Sequence, residues 1–359
     1  MGGTERQSLF FCEELLRSGH NAHLLIFRPC GSLWDEMVAK SIPHTVLQDF
    51  DTGLCLLAPG LFENLERLGP DVVLCMGRTA NCFAGFIQHH LPDSKVVGTL
   101  RTGKVIFPLH YWSLGKVSAV LANSNWWKRR MLQRGFPPEK IRVIHNPLML
   151  RTAPDDRVKW RNIIRAKTGA GEDTCVFLDV AALRSGKRHC ELIDAFGSFA
   201  KRTSVDWQLW LVGTGSQIDV CRRKVCATGL EKHIFFFGLQ PRTGPYYAGA
   251  DAAVSASRED SLPNFLIEAQ AMGLPLVATD CRGVEECCIP GETGVIVPQG
   301  NLEAFASALE NIASNKAFRQ AASAVSPTFA QEKFGSARQA RLTVAFLEEL
   351  ARGETYTHA

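Results

Sequence analysis

The sequence predicts an α/β protein made of two parallel-sheet domains. Three observations carry this. Short apolar runs alternate with amphipathic segments along the whole chain, as in strands joined by crossover helices. The 359 residues are long for one core and suit two. Residues 150–172 (LRTAPDDRVKWRNIIRAKTGAGE) are charged, contain a proline and end in small residues, so they read as a crossover between domains. The division expected is 1–150, 151–330 and a final segment 331–359.

In the first half, residues 4–18 set Leu9, Phe10, Cys12, Leu15 and Leu16 near one face, and Gly19 stops that helix. Residues 22–27 read as a strand, 33–40 as a short helix, 45–47 as a strand and 61–68 as a helix. Strand 71–76 precedes helix 80–90; strands 95–100 and 118–123 precede helix 124–134; strand 141–144 closes the series at Pro147. The second half repeats the pattern. Strands are expected at 175–181, 207–212, 234–237, 252–255, 276–278 and 295–297, with helices at 188–201, 217–229, 265–272 and 302–314 and a last helix at 332–351. The halves share this pattern without sharing sequence.

An apolar fraction of 46% and a charged fraction of 21% are ordinary for a globular enzyme. No apolar run reaches the roughly 18–20 residues that span a bilayer. The chain opens into a polar helix, so no leader is expected. Twelve scattered cysteines without a C-x-x-C pair point to reduced thiols in a cytoplasmic protein and to no metal site. The net charge of +4 lies in the first half, where residues 1–150 hold 16 Lys/Arg against 12 Asp/Glu. An anionic partner such as a membrane surface fits that bias, as does chance; no nucleic-acid partner is expected.

The chemistry concentrates in residues 255–279, SASREDSLPNFLIEAQAMGLPLVAT. Pro263 can open a helix, Gly273 can end it, and a buried strand follows. A helix N-terminus offers unpaired N–H groups and partial positive charge to a phosphate. Asp260 precedes that helix and Glu268 lies in its second turn. One short segment thus offers a phosphate cradle and two carboxylates for a polyhydroxylated ligand.

This segment resembles the signature of family-four retaining glycosyltransferases, with Glu268–Ala269–Gln270–Ala271–Met272–Gly273–Leu274–Pro275–Leu276 matching the E-A-x-A-x-G-x-P-V tail. Asp260 stands for the first glutamate and Ser261 for the usual glycine, which keeps the charge on a shorter arm. The resemblance implies the GT-B fold, two Rossmann-like domains facing across a cleft, with the acceptor on the first and a nucleotide sugar on the second. It implies a final helix that crosses back to the first domain. It also implies a transfer in which Glu268 takes the ribose hydroxyls, Asp260 orients the donor sugar, and Ser261, Leu262, Pro263 and Asn264 line the phosphates. No cofactor or metal is required beyond the nucleoside diphosphate sugar.

Other segments resemble the same family. Residues 180–196 look like its strand–loop–helix for the donor diphosphate: Lys187 falls on the family lysine, Ala182 on the arginine, and Arg184 is the nearest substitute cation. A solvated basic loop is the alternative. Val212–Gly213–Thr214–Gly215 resembles the V-G-x-G element, although a tight turn explains it equally well. Leu239 falls beside the base. Gly2, Gly3 and Thr4 resemble a glycine-rich loop near acceptor or donor phosphates, yet the inner strand that should precede this loop is not in the sequence, so weak folding or activity is expected. Arg101, at the end of a strand, suits an anion on the acceptor or donor, or is part of a surface turn. Trp126–Trp127–Lys128–Arg129–Arg130 reads as a membrane-facing helix or as a buried tryptophan face backed by solvated cations.

The function expected is retaining transfer of a hexosyl-type sugar to a glycan or lipid-linked acceptor, in the cytoplasm or peripherally at the inner membrane face. A degenerate relative that binds a nucleotide sugar without turnover is the rival. A nicotinamide dehydrogenase is disfavoured because Ile218 occupies the third glycine position of G-x-G-x-x-G.

Overall fold

The computed structural model describes residues 3–29, 34–150 and 156–353. The chain divides into two compact units, Met1–Pro147 with Ser336–Ala359, and Leu148–Gly335.

In the first unit, β1 (Leu24–Ile26) pairs in parallel with β2 (His44–Val46). A separate parallel sheet runs β3 (Val72–Cys75), β4 (Lys95–Leu100), β5 (Ala119–Ala122) and β6 (Ile141–Val143), in that order. Among the described residues no ladder joins the two sheets. The helices are α1 (Gly3–Arg17), α2 (Trp34–Ala39), α3 (Leu61–Leu68), α4 (Gly77–His90), α5 (Pro108–Lys116) and α6 (Asn125–Leu132). Leu100, Leu114, Val120, Trp127 and Met131 fill one side of the larger sheet. On the other side Val97, Leu121 and Ile144 meet Phe346 and Leu347 of the final helix, Ser336–Ala351.

The second unit has six parallel strands: β7 (Cys175–Val180), β8 (Trp207–Val212), β9 (Ile234–Gly238), β10 (Ala252–Ser255), β11 (Leu276–Thr279) and β12 (Gly294–Val297). They lie in the order β12-β11-β10-β7-β8-β9. Every apolar strand residue faces a helix layer, which is why these strands read as continuous apolar runs. One layer is α8 (His189–Ala200), α9 (Ile218–Thr228) and α12 (Leu302–Ser314), whose Leu192, Phe196, Phe199, Val225 and Leu309 pack on Phe177 and Leu209. The other holds α7 (Arg157–Ala166), α10 (Gly244–Gly249), α11 (Asn264–Ala271) and α13 (Lys316–Phe334), packed on Leu178, Trp210 and Leu276. The strand order reverses between β7 and β10, and the helices after these two strands leave to opposite faces. Such a switch point opens a crevice at the carboxyl ends of its two strands.

Four helices escape the sequence reading. α5 begins at Pro108 in a stretch without a clear apolar stripe. α7 lies inside the expected crossover; its polar face is explained by ion pairs, with half-buried Arg161 and buried Arg165 meeting Asp251 at 2.7 and 3.0 Å. α10 is a buried GPYYAG turn of helix, and α13 carries Pro327 in its interior. The last helix therefore starts at Ser336, later than expected, because α13 runs to Phe334.

Candidate active site

The switch point gathers the residues singled out between 180 and 268. The loop after β7 carries Arg184 and Lys187, and the loop after β10 carries Asp260. The two strands are hydrogen-bonded neighbours, so loops some 70 residues apart in sequence meet: Lys187 Nζ donates to Asp260 Oδ2 at 2.5 Å. The loops are stitched further by backbone, with Arg258 N donating to the Gly186 carbonyl at 3.0 Å. Glu259 packs on Gly186 closely enough that a Cβ there would press on its carboxylate carbon at 2.9 Å.

Electrostatics follow from this packing. Burial pushes the Asp260 carboxyl up, but the Lys187 charge and hydrogen bond, with Ser257 and Arg184 adding to them, more than offset it and hold the group below the usual carboxylate range. Asp260 is therefore ionised at neutral pH and accepts hydrogen bonds only. Arg184 is the nearest additional cation, and its Nε is buried without a partner. Ala182, at the position matching the family arginine, is exposed.

Eight residues beyond Asp260, Glu268 lies buried in the second turn of α11. Tyr247 Oη donates to its Oε2 at 2.6 Å, fixing the carboxylate. Pro263 sits at the N-cap of α11 with φ −70°, where its missing N–H costs the helix nothing. Ser261 and Leu262 are buried, and Asn264 is the first helical residue. Gly273 ends the segment with φ 74°, as the sequence predicts.

Gly213 and Leu239 end the two neighbouring strands. Gly213 takes φ 142°, and a Cβ there would overlap the Ala181 carbonyl oxygen, so close packing of the two loops demands glycine. Leu239 is exposed beside Gly238. A recess of about 400 Å³ opens beside the loop, lined by Arg184, Arg188, Gln217 and Arg258 among others, but not by Lys187, Asp260 or Glu268.

The first-unit candidates lie in other local settings than the sequence suggests. Gly3 is the first residue of α1 and not part of a loop; Gly2 lies outside the described residues. Arg101 is not a surface turn: Nη1 donates to Gln7 Oε1 at 2.8 Å and to Asn146 Oδ1 at 3.2 Å, the guanidinium lies over the Phe11 ring, and burial pushes its pKa down to about 10. Its Nε and Nη2 are buried without partners. Trp127 is buried and Arg129 and Arg130 are exposed, the second of the two readings given for that helix.

Sequence reasoning missed Ser257, which hydrogen-bonds Asp260, and Tyr247, which clamps Glu268. Tyr247 comes from a glycine-rich stretch with no motif of its own. Among the described residues no cluster of three or more His, Cys, Asp or Glu is arranged to hold a metal ion, and each described cysteine is a free thiol. No described helix is long and apolar enough to cross a membrane.

Comparison with known proteins places the chain in a family. Residues 174–315 match the family model for glycosyl transferases group 1, and residues 1–150 that for glycosyltransferase family 4. An uncharacterised glycosyltransferase of Haemophilus influenzae is 31% identical over 330 residues, 88% of this chain and 87% of that protein. The lipopolysaccharide core biosynthesis glycosyltransferase LpsE of Rhizobium meliloti is 29% identical, over 89% of this chain and 87% of that one. Among solved structures, Anabaena HepE in complex with UDP superposes with a TM-score of 0.82 at 19% identity, covering 97% of this chain and 96% of that one. A glycosyltransferase from Rickettsia africae gives 0.81 at 19% identity, covering 98% and 96%. With two Rossmann-like units and these relatives, the chain belongs to the family-four, group 1 glycosyltransferases of GT-B fold.

Proposed function

We propose that this protein transfers a hexosyl-type sugar, with retention, from a nucleoside diphosphate to a hydroxyl on a glycan or lipid-linked acceptor during polysaccharide or glycolipid assembly at the cytoplasmic face of a membrane. The observation that carries this reading is the Lys187–Asp260 pair at the switch point, just ahead of the N-terminus of α11. Lys187 has three N–H donors, so it can keep Asp260 and still hold a diphosphate oxygen. When the bond from the anomeric carbon to the diphosphate breaks, negative charge grows on the leaving oxygen. A fixed lysine and the positive end of a helix stabilise that charge more than the ground state. Asp260, held ionised, orients sugar hydroxyls and cannot donate a proton. The acceptor hydroxyl adds on the face the diphosphate leaves, and its proton passes to the departing phosphate oxygen. Glu268, steadied by Tyr247, accepts from the ribose hydroxyls. Arg101, with donors to spare next to α1, is our candidate for an anionic group on the acceptor. Lysine and helix dipole together supply the positive charge, so the scheme needs no metal.

The test is turnover of a panel of labelled nucleotide sugars, beginning with UDP-sugars because Anabaena HepE binds UDP, with and without a chelator. Asp260→Asn and Glu268→Gln should each lower kcat/KM by about 100-fold or more, and the chelator should change nothing. Full activity in both variants would overturn the assignment. Tight donor binding by the wild type without turnover would instead favour the degenerate reading.

A further inference from the structure

Two of the free thiols stand together where sugar transfer does not use them. Cys190 is the second residue of α8, and Cys221 is the fourth of α9. Cys190 packs against the apolar cluster that holds Cys221, Leu192 and Val225. The Cys221 thiol donates a hydrogen bond to the Cys190 sulfur. Thiols in hydrogen-bond contact need only a small shift to reach the bonding distance of a disulfide.

Access and charge separate the roles of the two sulfurs. Cys190 is partly exposed and Cys221 fully buried. Both line the recess of about 400 Å³ beside the loop that carries Arg184, so a small solute reaches the pair from solvent. Cys190 stands in the first turn of α8, where a helix N-terminus favours an anionic sulfur. Lys224, one turn beyond Cys221 in α9, lies in electrostatic contact with Cys190 and is held to Asp194 of α8 at 2.6 Å. Burial, with Cys190 adding to it, pushes the Cys221 thiol up to about 12. Cys221 therefore keeps its proton, and Cys190 is the nucleophile of the pair. An accessible thiolate with a second thiol beside it is the arrangement that turns oxidation into a reversible disulfide.

We infer that Cys190 is a hydroperoxide-reactive thiol and that Cys221 is its resolving partner. The Cys190 thiolate attacks one oxygen of the hydroperoxide: a sulfur–oxygen bond forms and the oxygen–oxygen bond breaks. The other oxygen leaves as hydroxide or alkoxide and takes a proton from solvent. The Cys221 sulfur then attacks the sulfenic sulfur of Cys190. A sulfur–sulfur bond forms, the sulfur–oxygen bond breaks, and the hydroxyl leaves as water with the Cys221 proton. The two thiols together give up two electrons, and the peroxide takes both. The modification site asks nothing of the transfer reading, and its test uses no sugar turnover.

Peptide mass spectrometry of the full chain, reduced, treated with equimolar hydrogen peroxide and quenched with an alkylating agent, tests it. A Cys190–Cys221 cross-linked peptide should appear, and dithiothreitol should return it to two free thiols. Cys226, exposed on the same helix, is the internal control and should be oxidised at least about tenfold more slowly than Cys190. In Cys221→Ser the oxidation should stop at a sulfenic acid on Cys190, which dimedone captures. In Cys190→Ser no such adduct should form on Cys221. Thermal unfolding close to wild type shows that the variants are folded; if either does not fold, the wild-type cross-link decides alone. Absence of that cross-link, or Cys226 consumed as fast as Cys190, overturns the assignment. So does a dimedone adduct on Cys221 of Cys190→Ser that forms as fast as the one on Cys190.

Discussion

Asp260 keeps its charge because Lys187 lies 2.5 Å away, and the same proximity makes each residue dependent on the other. His110 shows the opposite balance. It is buried in α5 with both ring nitrogens unpartnered, and burial, with Arg78 adding to it, pushes its pKa down to about 4. The unfolded chain titrates this imidazole near 6.5, so between pH 6.5 and 4 the unfolded state binds more protons than the native one. Stability is then full above about pH 6.5 and is lost as pH falls toward 4, by an amount on the order of 3 kcal/mol. Denaturant titrations of wild type and His110→Leu at pH 7 and pH 5 check the sign: the variant should lose less between the two. At this scale the sequence exposes the charged members of the candidate site, Lys187, Asp260 and Glu268, because each sits in a patterned segment. It hides Ser257 and Tyr247, since a hydrogen bond across 21 residues depends on how α10 packs against α11. It also hides the partners of Arg101, since Gln7 and Asn146 lie 94 and 45 residues distant.

The elements legible in the sequence are those whose stability is written in their own periodicity. All six strands of the second unit fall within a residue or so of their expected positions, because strands covered on both faces must be apolar throughout. The helices that were missed depend on tertiary partners. In α7 the arginines would read as solvent-facing; in the fold Arg161 and Arg165 converge on Asp251, which also accepts from Val176 N at 2.8 Å. Asp251 thus ties α7 to the amino end of the sheet. Its replacement by Ala leaves the buried Arg165 without its counter-ion and should cost about 3–5 kcal/mol. Thermal unfolding checks this, and loss of helix signal at lower temperature than the sheet would locate the damage in α7. The buried thiols behave in the same way: burial pushes Cys75, Cys175 and Cys288 up to about 12, so they pack as small apolar groups and do not react.

Across the whole molecule, the chain returns to its first unit after completing the second. Phe346 and Leu347 of the final helix cover Val97 and Leu121, while the exposed pair between His20, just after α1, and Glu348 of that helix adds little. Phe346→Ala should therefore cost about 3–5 kcal/mol of stability, measured by denaturant titration, with no change in nucleotide affinity, since the residues assigned to the nucleotide all lie in Leu148–Gly335. That the repeated alternation would give parallel sheets packed against helices was legible from the sequence. The switch point was not, because strand order is set by which edges pair and not by any local pattern. It is nevertheless the feature that joins two distant loops into one corner, where Lys187 meets Asp260. Titration calorimetry of the nucleoside diphosphate that most stabilises the protein, against wild type and Lys187→Ala, measures that corner directly. The account predicts binding at least about tenfold weaker in the variant, or 1.4 kcal/mol; equal affinity in the two proteins would contradict it.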